Sequence, residues 1–189
     1  MPTTAPGIVT ERTQIRLLQL EHAPLLQQYH QANREHLAPW EPRREDEFYS
    51  LAACQQRIAT CQQQFEQGSG FAFIVLPRAA DGQQAEMIAS CNFNNIVRGI
   101  FQACHLGYSI AAAYQGQGLM QEALRAAIDY MFEQADLHRI MANYLPHNQR
   151  SGRLLERLGF EREGLAKKYL KINGVWQDHV LTALVRQRD

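Results

Sequence analysis

Apolar residues along this chain change spacing repeatedly, and the changes mark its elements. Alternation, or a short unbroken apolar run, predicts a strand; apolar residues three and four apart predict a helix. A first strand is expected over 14–20, which alternates around Ile15, Leu17 and Leu20. A helix over 22–36 follows, with Leu25, Leu26, Tyr29 and Ala32 at helical spacing. Pro39 and Pro42 then stop the helix and hold an extended loop. A second helix over 47–67 carries the stripe Leu51, Cys54, Ile58, Cys61 and Phe65, and Gly68-Ser69-Gly70 ends it.

Three strands come next. The run 71–76 is apolar throughout and reads as a buried strand; Asp81-Gly82 predicts a turn; 87–97 and 101–110 are the following two, joined by a turn at Arg98-Gly99. A helix over 119–136 has Met120, Leu124, Ala127, Ile128, Met131 and Ala135 on its inner face. A strand over 138–145 is closed by Pro146, and a helix over 149–158 is stopped by Gly159. The remainder, 160–185, predicts a hairpin around Asn173-Gly174, a strong turn signal between two strand-like segments. Residues 1–11 are short, polar and proline-containing, and are expected to be a flexible lead-in to a single domain over 12–189.

Composition narrows the function classes. The 189 residues suit one domain, and 46% of them are hydrophobic. Nineteen basic residues balance nineteen acidic ones, so broad electrostatic binding to DNA or RNA is not expected. No apolar run approaches the roughly 20 residues needed to span a bilayer, and the first residues lack an apolar signal region, so a cytosolic protein is expected. Cys54, Cys61, Cys91 and Cys104 form no Cys-x-x-Cys pair and read as buried thiols; the histidines lack ligand spacing, so no metal is expected.

The chemistry centres on Gln115-Gly116-Gln117-Gly118-Leu119-Met120, which lies between a predicted strand and a predicted helix. Glycines here let the backbone turn and expose N–H groups, and the helix that follows presents unpaired N–H groups with partial positive charge. That combination receives a phosphate or pyrophosphate. No Gly-Lys-Ser/Thr follows, so it is not a P-loop, and the third glycine of the dinucleotide fingerprint is missing.

The same stretch resembles the acetyl-CoA pyrophosphate loop of the GCN5-related N-acetyltransferases (GNAT), whose Gln/Arg-x-x-Gly-x-Gly/Ala matches at Gln115 and Gly118; Met120 stands where a small residue is usual. Asn148-Gln149-Arg150-Ser151 and Leu155-Glu156-Arg157-Leu158-Gly159-Phe160 resemble a second signature of that family, in the expected order. Longer matches, 36–42, 92–99, 138–148 and 178–184, resemble the RimJ type within the family, which acetylates N-terminal alanines of ribosomal proteins. The resemblance covers about residues 12–185. It implies an α/β (α+β) fold with a mixed central sheet of about seven strands and about four helices. The fourth and fifth strands would splay apart so that acetyl-CoA inserts between them. It also implies a ribosomal-protein N-terminus as substrate, contact with the ribosome, neither membrane nor specific DNA as partner, and a monomer or weak dimer.

Several residues then become candidates. Acetyl transfer needs a neutral amine, an oxyanion contact and a proton for the leaving thiolate. His105 is the candidate base, where relatives often carry a glutamate; a histidine simply packed beside the substrate is the alternative. The tyrosine acid of many relatives is replaced by Leu155, which leaves Ser151 as the candidate acid, with Tyr108 and Tyr144 behind it; Ser151 could instead cap its helix. For the cofactor, the resemblance points to Leu106, Tyr108, Ser109 and Ile110 along the pantetheine, with the oxyanion contact near Ile110. It adds the loop Gln115, Gly116, Gln117, Gly118, Leu119 and Met120, and Asn143, Asn148 and Ser151 on the other wall; Asn148 could be only an N-cap. Trp40, Glu41, Asn92, Asn94 and Tyr144 are substrate-side candidates, with Glu41 suited to an ammonium group. Two other functions stay open on these residues: acetylation of a small-molecule amine, and acetyl-CoA binding without catalysis in ribosome assembly.

Overall fold

The computed structural model describes residues 7–78 and 85–187. Eight strands form one sheet: β1 (Gly7–Val9), β2 (Thr13–Leu17), β3 (Phe71–Pro77), β4 (Ala89–Val97), β5 (Ala103–Ile110), β6 (Arg139–Tyr144), β7 (Glu161–Ile172) and β8 (Val175–Val185). Their order across the sheet is β1-β2-β3-β4-β5-β6-β8-β7. The helices are α1 (Ala23–Ala32), α2 (Arg34–Leu37), α3 (Leu51–Glu66), α4 (Leu119–Glu133) and α5 (Gln149–Arg157).

Two apolar layers cover the sheet. On one face Met120, Ala123, Leu124, Ala127, Ile128 and Met131 of α4, with Leu155 of α5, bury against Phe73, Cys91, Cys104, Leu106 and Ile140. On the other, Leu26 and Tyr29 of α1 with Cys54 and Ile58 of α3 bury against Ala72, Ile74 and Leu76 of β3. That double burial is why 71–76 reads as an unbroken apolar run.

One strand pair shapes the site. Every pairing is antiparallel except β5 with β6, which run parallel and pair only at Ala103↔Arg139, Cys104↔Ile140 and His105↔Met141. β5 continues to Ile110, and β6, held by β8 from Arg139 to Tyr144, continues beside a different neighbour. The strands therefore part after His105 and leave a cleft between them. This is the expected splay.

The structure corrects several boundaries. Within the expected lead-in, Gly7–Val9 is an added edge strand paired with Gln14–Arg16, anchored by Ile8 against the core; the sheet thus has eight strands rather than seven. Residues 1–6 and the expected Asp81-Gly82 turn lie outside the described residues. The helix expected over 22–36 divides at Asn33, whose side chain donates to Tyr29 O and accepts from Ala112 N–H. The helix expected over 47–67 starts later, because Ser50 is extended and caps α3 by accepting from Ala53 N–H. The hairpin turn is as expected, with Asn173 and Gly174 both at positive φ (43° and 82°).

Candidate functional site

The glycine loop leads directly into α4. Gly116 and Gly118 have φ of 74° and 78°, in the left-handed region that glycine enters without strain. A Cβ at Gly116 would meet nothing, so its outer side is open. Gly118 is the N-cap of α4 and supplies no side-chain cap. The first N–H groups of α4 therefore have neither an intrahelical partner nor a capping side chain, which is the chemistry a pyrophosphate requires. The residues present fit that group.

Side chains of the loop do other work. Met120 is buried in the core against α4's own layer, so only its backbone faces the loop. Gln117 Nε2 donates to Ala113 O. Gln115 Oε1 accepts from Arg150 of α5, and its Nε2 lies 3.1 Å from His36 Nε2, which is 3.2 Å from Ile110 O. Loop, strand end and both flanking helices are thereby tied together.

β5 presents two different faces to the cleft. Cys104, Leu106, Tyr108 and Ile110 face the α4 and α5 layer. Tyr108 OH and Ser151 Oγ share a 2.6 Å hydrogen bond. Burial, opposed by this bond, pushes the Tyr108 phenol up to about 12, so it holds its proton at neutral pH. Ser151 N–H donates to Asn148 Oδ1, so Asn148 is the N-cap of α5. Ser151's own hydroxyl is not spent on capping and points to Tyr108.

His105, Gly107 and Ser109 face the opposite side. Asn94, Asn92 and Ser90 of β4 stand beside them in register. His105 Nδ1 is buried without a hydrogen-bond partner, and burial lowers the imidazole pKa, so the ring is neutral and carries an unused polar atom. Gly107 is exposed, and a Cβ there would meet nothing, so the floor between His105 and Ser109 is open. Ser109 Oγ bonds Tyr29 OH at 2.8 Å and Ser90 Oγ at 3.0 Å. The side chain of Ser109 thus belongs to this face. Asn143 also points here, its Nδ2 donating to Tyr169 OH.

The loop expected to hold substrate is pinned by two contacts. Asn173 N–H at the hairpin tip donates to Glu41 O, and the Trp40 ring packs on His147 with centroids 5.6 Å apart. A cavity of about 160 Å³ is lined by His30, Arg34, Glu41, Arg44 and Asn173 among others. Burial raises the Glu41 carboxyl pKa, with Arg44 and Arg57 opposing it. Tyr144 is not part of this group. It shares its face with Ala142 and Ile140, packs tightly on Gly152 of α5, and lines a separate cavity of about 410 Å³ with Arg153, Phe160 and Thr182.

The structure thus brings Tyr108 to Ser151, gathers His105, Asn92, Asn94 and Asn143 on the far face, and puts Tyr144 on the Tyr108–Ser151 side. Sequence reasoning missed Tyr29, Ser90, His36, Arg150 and Arg12. His36 and Arg150 lay inside the matched stretches 36–42 and 148–151 but carried no assigned role there.

Comparison with known proteins gives a consistent picture. The family described as "Acetyltransferase (GNAT) domain" matches residues 12–161. The [Ribosomal protein uS5]-alanine N-acetyltransferase of Escherichia coli (strain K12) is 50% identical over 177 residues, 94% of this chain and 89% of that protein. The crystal structure of a ribosomal-protein-S5-alanine acetyltransferase from Vibrio fischeri superposes with a TM-score of 0.89 at 40% identity, over 96% of this chain and 97% of the other. Mycobacterium smegmatis RimJ in complex with CoA-disulfide superposes with a TM-score of 0.86 at 25% identity, over 98% and 88%.

Proposed function

The chain belongs to the GNAT acetyltransferase family, and on that premise we propose that it transfers an acetyl group to the N-terminal α-amine of a ribosomal protein, with alanine as the first residue. The observation that carries this reading is the division of labour across β5: a neutral histidine on one face, a protonated hydroxyl pair on the other, and a cleft between.

The protein is an acetyl-CoA-dependent N-acetyltransferase. Acetyl-CoA supplies a thioester whose acyl carbon an amine can attack. In the proposed arrangement the backbone from Gly116 to Met120 would hold the pyrophosphate, and the edge of β5 from Leu106 to Ile110 would hold the pantetheine, with a backbone N–H near Ile110 as the hydrogen-bond donor to the acyl oxygen.

The acceptor approaches over Gly107 from the face that carries Asn92, Asn94 and His105. Glu41, in the loop pinned to Asn173 and beside Trp40, attracts the ammonium form. An α-amine has a reference pKa of about 7.7–8.0, so roughly a tenth is neutral at pH 7 and a weak base suffices. His105 accepts the amine proton. The Ser151–Tyr108 pair returns a proton to the leaving sulfur from the other face, so no single group needs to reach both ends of the reaction.

On this reading the protein works in the cytosol, as a monomer or weak dimer. No helix among the described residues is long and apolar enough to cross a membrane. The test is mass spectrometry after incubation with acetyl-CoA and N-terminal peptides of ribosomal proteins beginning with alanine or serine, alongside a polyamine and an aminoglycoside. Acetylation of the alanine peptide at its α-amine is expected. Turnover on the small amines alone, or on no acceptor, would overturn the reading.

A further inference from the structure

We propose that Arg12 is a positioning residue for the acetyl donor: held by Glu122, it clamps the glycine loop in the shape that receives the pyrophosphate. The inference rests on the reading that residues 115–120 bind that group.

The geometry is specific. Glu122 lies in the first turn of α4. Its Oε1 accepts from the Thr10 hydroxyl at 2.6 Å and from Arg12 N–H at 2.7 Å, and its Oε2 accepts from Arg12 Nε at 2.7 Å. The same guanidinium reaches onward. Arg12 Nη1 donates to Gln117 O at 2.9 Å, and Nη2 lies 3.4 Å from the place a Cβ would take on Gly118. One side chain therefore spans the helix carboxylate and the carbonyl between the two left-handed glycines.

Two consequences follow. Pulling the Gln117 carbonyl toward Arg12 turns it away from the open side of the loop, so the N–H groups rather than a carbonyl oxygen face an incoming anion. The second consequence is electrostatic. A bare carboxylate in the first turn would compete with phosphate for the positive end of α4. Burial alone would raise the Glu122 pKa, but the Thr10 and Arg12 hydrogen bonds and the Arg12 charge hold it below the usual carboxyl range. Glu122 is thus ionised, and Arg12 cancels its charge beside the site. The planar fork of arginine serves both partners at once, which a lysine ammonium cannot copy in the same geometry. Arg12 itself sits in the turn between β1 and β2, so the added edge strand helps to place it.

The test compares two donors, acetyl-CoA and S-acetylpantetheine, which lacks all phosphate, using wild type, Arg12→Ala and Arg12→Lys. Wild type should prefer acetyl-CoA. In Arg12→Ala the ratio of kcat/KM for acetyl-CoA to that for S-acetylpantetheine should fall about tenfold, the effect of losing one charge-assisted hydrogen bond. The loss should appear in KM for acetyl-CoA rather than in kcat, and Arg12→Lys should recover part of it. Equal losses with both donors would make Arg12 merely structural and overturn the proposal, as would an unchanged ratio in a variant that still follows a donor-preferring wild type. A wild type that treats both donors alike would overturn the loop reading, and the clamp with it.

Discussion

The phenol of Tyr108 on β5 and the hydroxyl of Ser151 on α5, 43 positions apart in the chain, share a 2.6 Å hydrogen bond. Leu155 of α5 is only 1% exposed and packs in the core, and its side chain carries no proton to give. The Tyr108–Ser151 pair is the proton donor of the proposed mechanism. If the pair acts as one unit, Tyr108→Phe and Ser151→Ala should each lower kcat, by up to about 10². The double variant should be little worse than the poorer single one, since groups acting together are non-additive. Multiplicative losses in steady-state kinetics would show two independent roles.

His105→Ala should lower the rate at saturating substrates by about 10²–10⁴. Burial lowers the His105 pKa, so the wild-type base stays competent below the ordinary imidazole range. In the variant, activity should return as pH rises above about 8, where an α-amine neutralises itself. A pH–rate profile on an alanine-starting peptide checks this. A variant within threefold of wild type at pH 7 would leave positioning and the amine's own low pKa as the whole mechanism.

Gly118→Glu should abolish CoA binding. A side chain at φ 78° is strained, its Cβ meets Arg12 Nη2 at 3.4 Å, and its carboxylate would both repel pyrophosphate and draw Arg12 from Glu122. Gly116→Ala, at φ 74° but with open space around it, carries only the backbone strain of about 1–2 kcal/mol. Calorimetry with CoA should rank wild type, Gly116→Ala and Gly118→Glu in falling affinity; equal affinity across the three would refute the loop assignment.

His30 predicts a pH dependence of stability. Burial, with Arg57 and Arg44 nearby, brings its pKa down to about 4, whereas the unfolded chain should show about 6.5. The folded state binds fewer protons over that interval, so its contribution is fully present above pH 6.5 and is lost as pH falls toward 4. Urea melts at pH 7 and pH 4.5 should show a smaller loss of stability in His30→Gln than in wild type. An identical pH response in both proteins would contradict this.

Much of the chain was legible beforehand because its signals are local. The 3-and-4 spacing in α4, the six-residue apolar run of β3 and the Asn173-Gly174 turn each depend on residues within one element, and the structure places all three as expected. The glycine loop was equally readable, since positive φ at Gly116 and Gly118 is what glycine permits.

What tertiary structure alone decided was what those sides look at. Period-two alternation separates His105 from Tyr108 but does not say that one face meets α5 through Ser151 and the other meets α1 through Tyr29. That follows from the parallel register of β5 and β6, which ends at His105↔Met141 and opens the cleft. The side on which Tyr144 lies is likewise set by its pairing with Val180. Contacts such as Arg12 with Glu122, 110 positions apart, leave no periodic trace. They exist because β1 pairs at the sheet edge and brings a charged turn against the start of α4; charge complementarity at such range is a property of the packed chain, not of any segment of it.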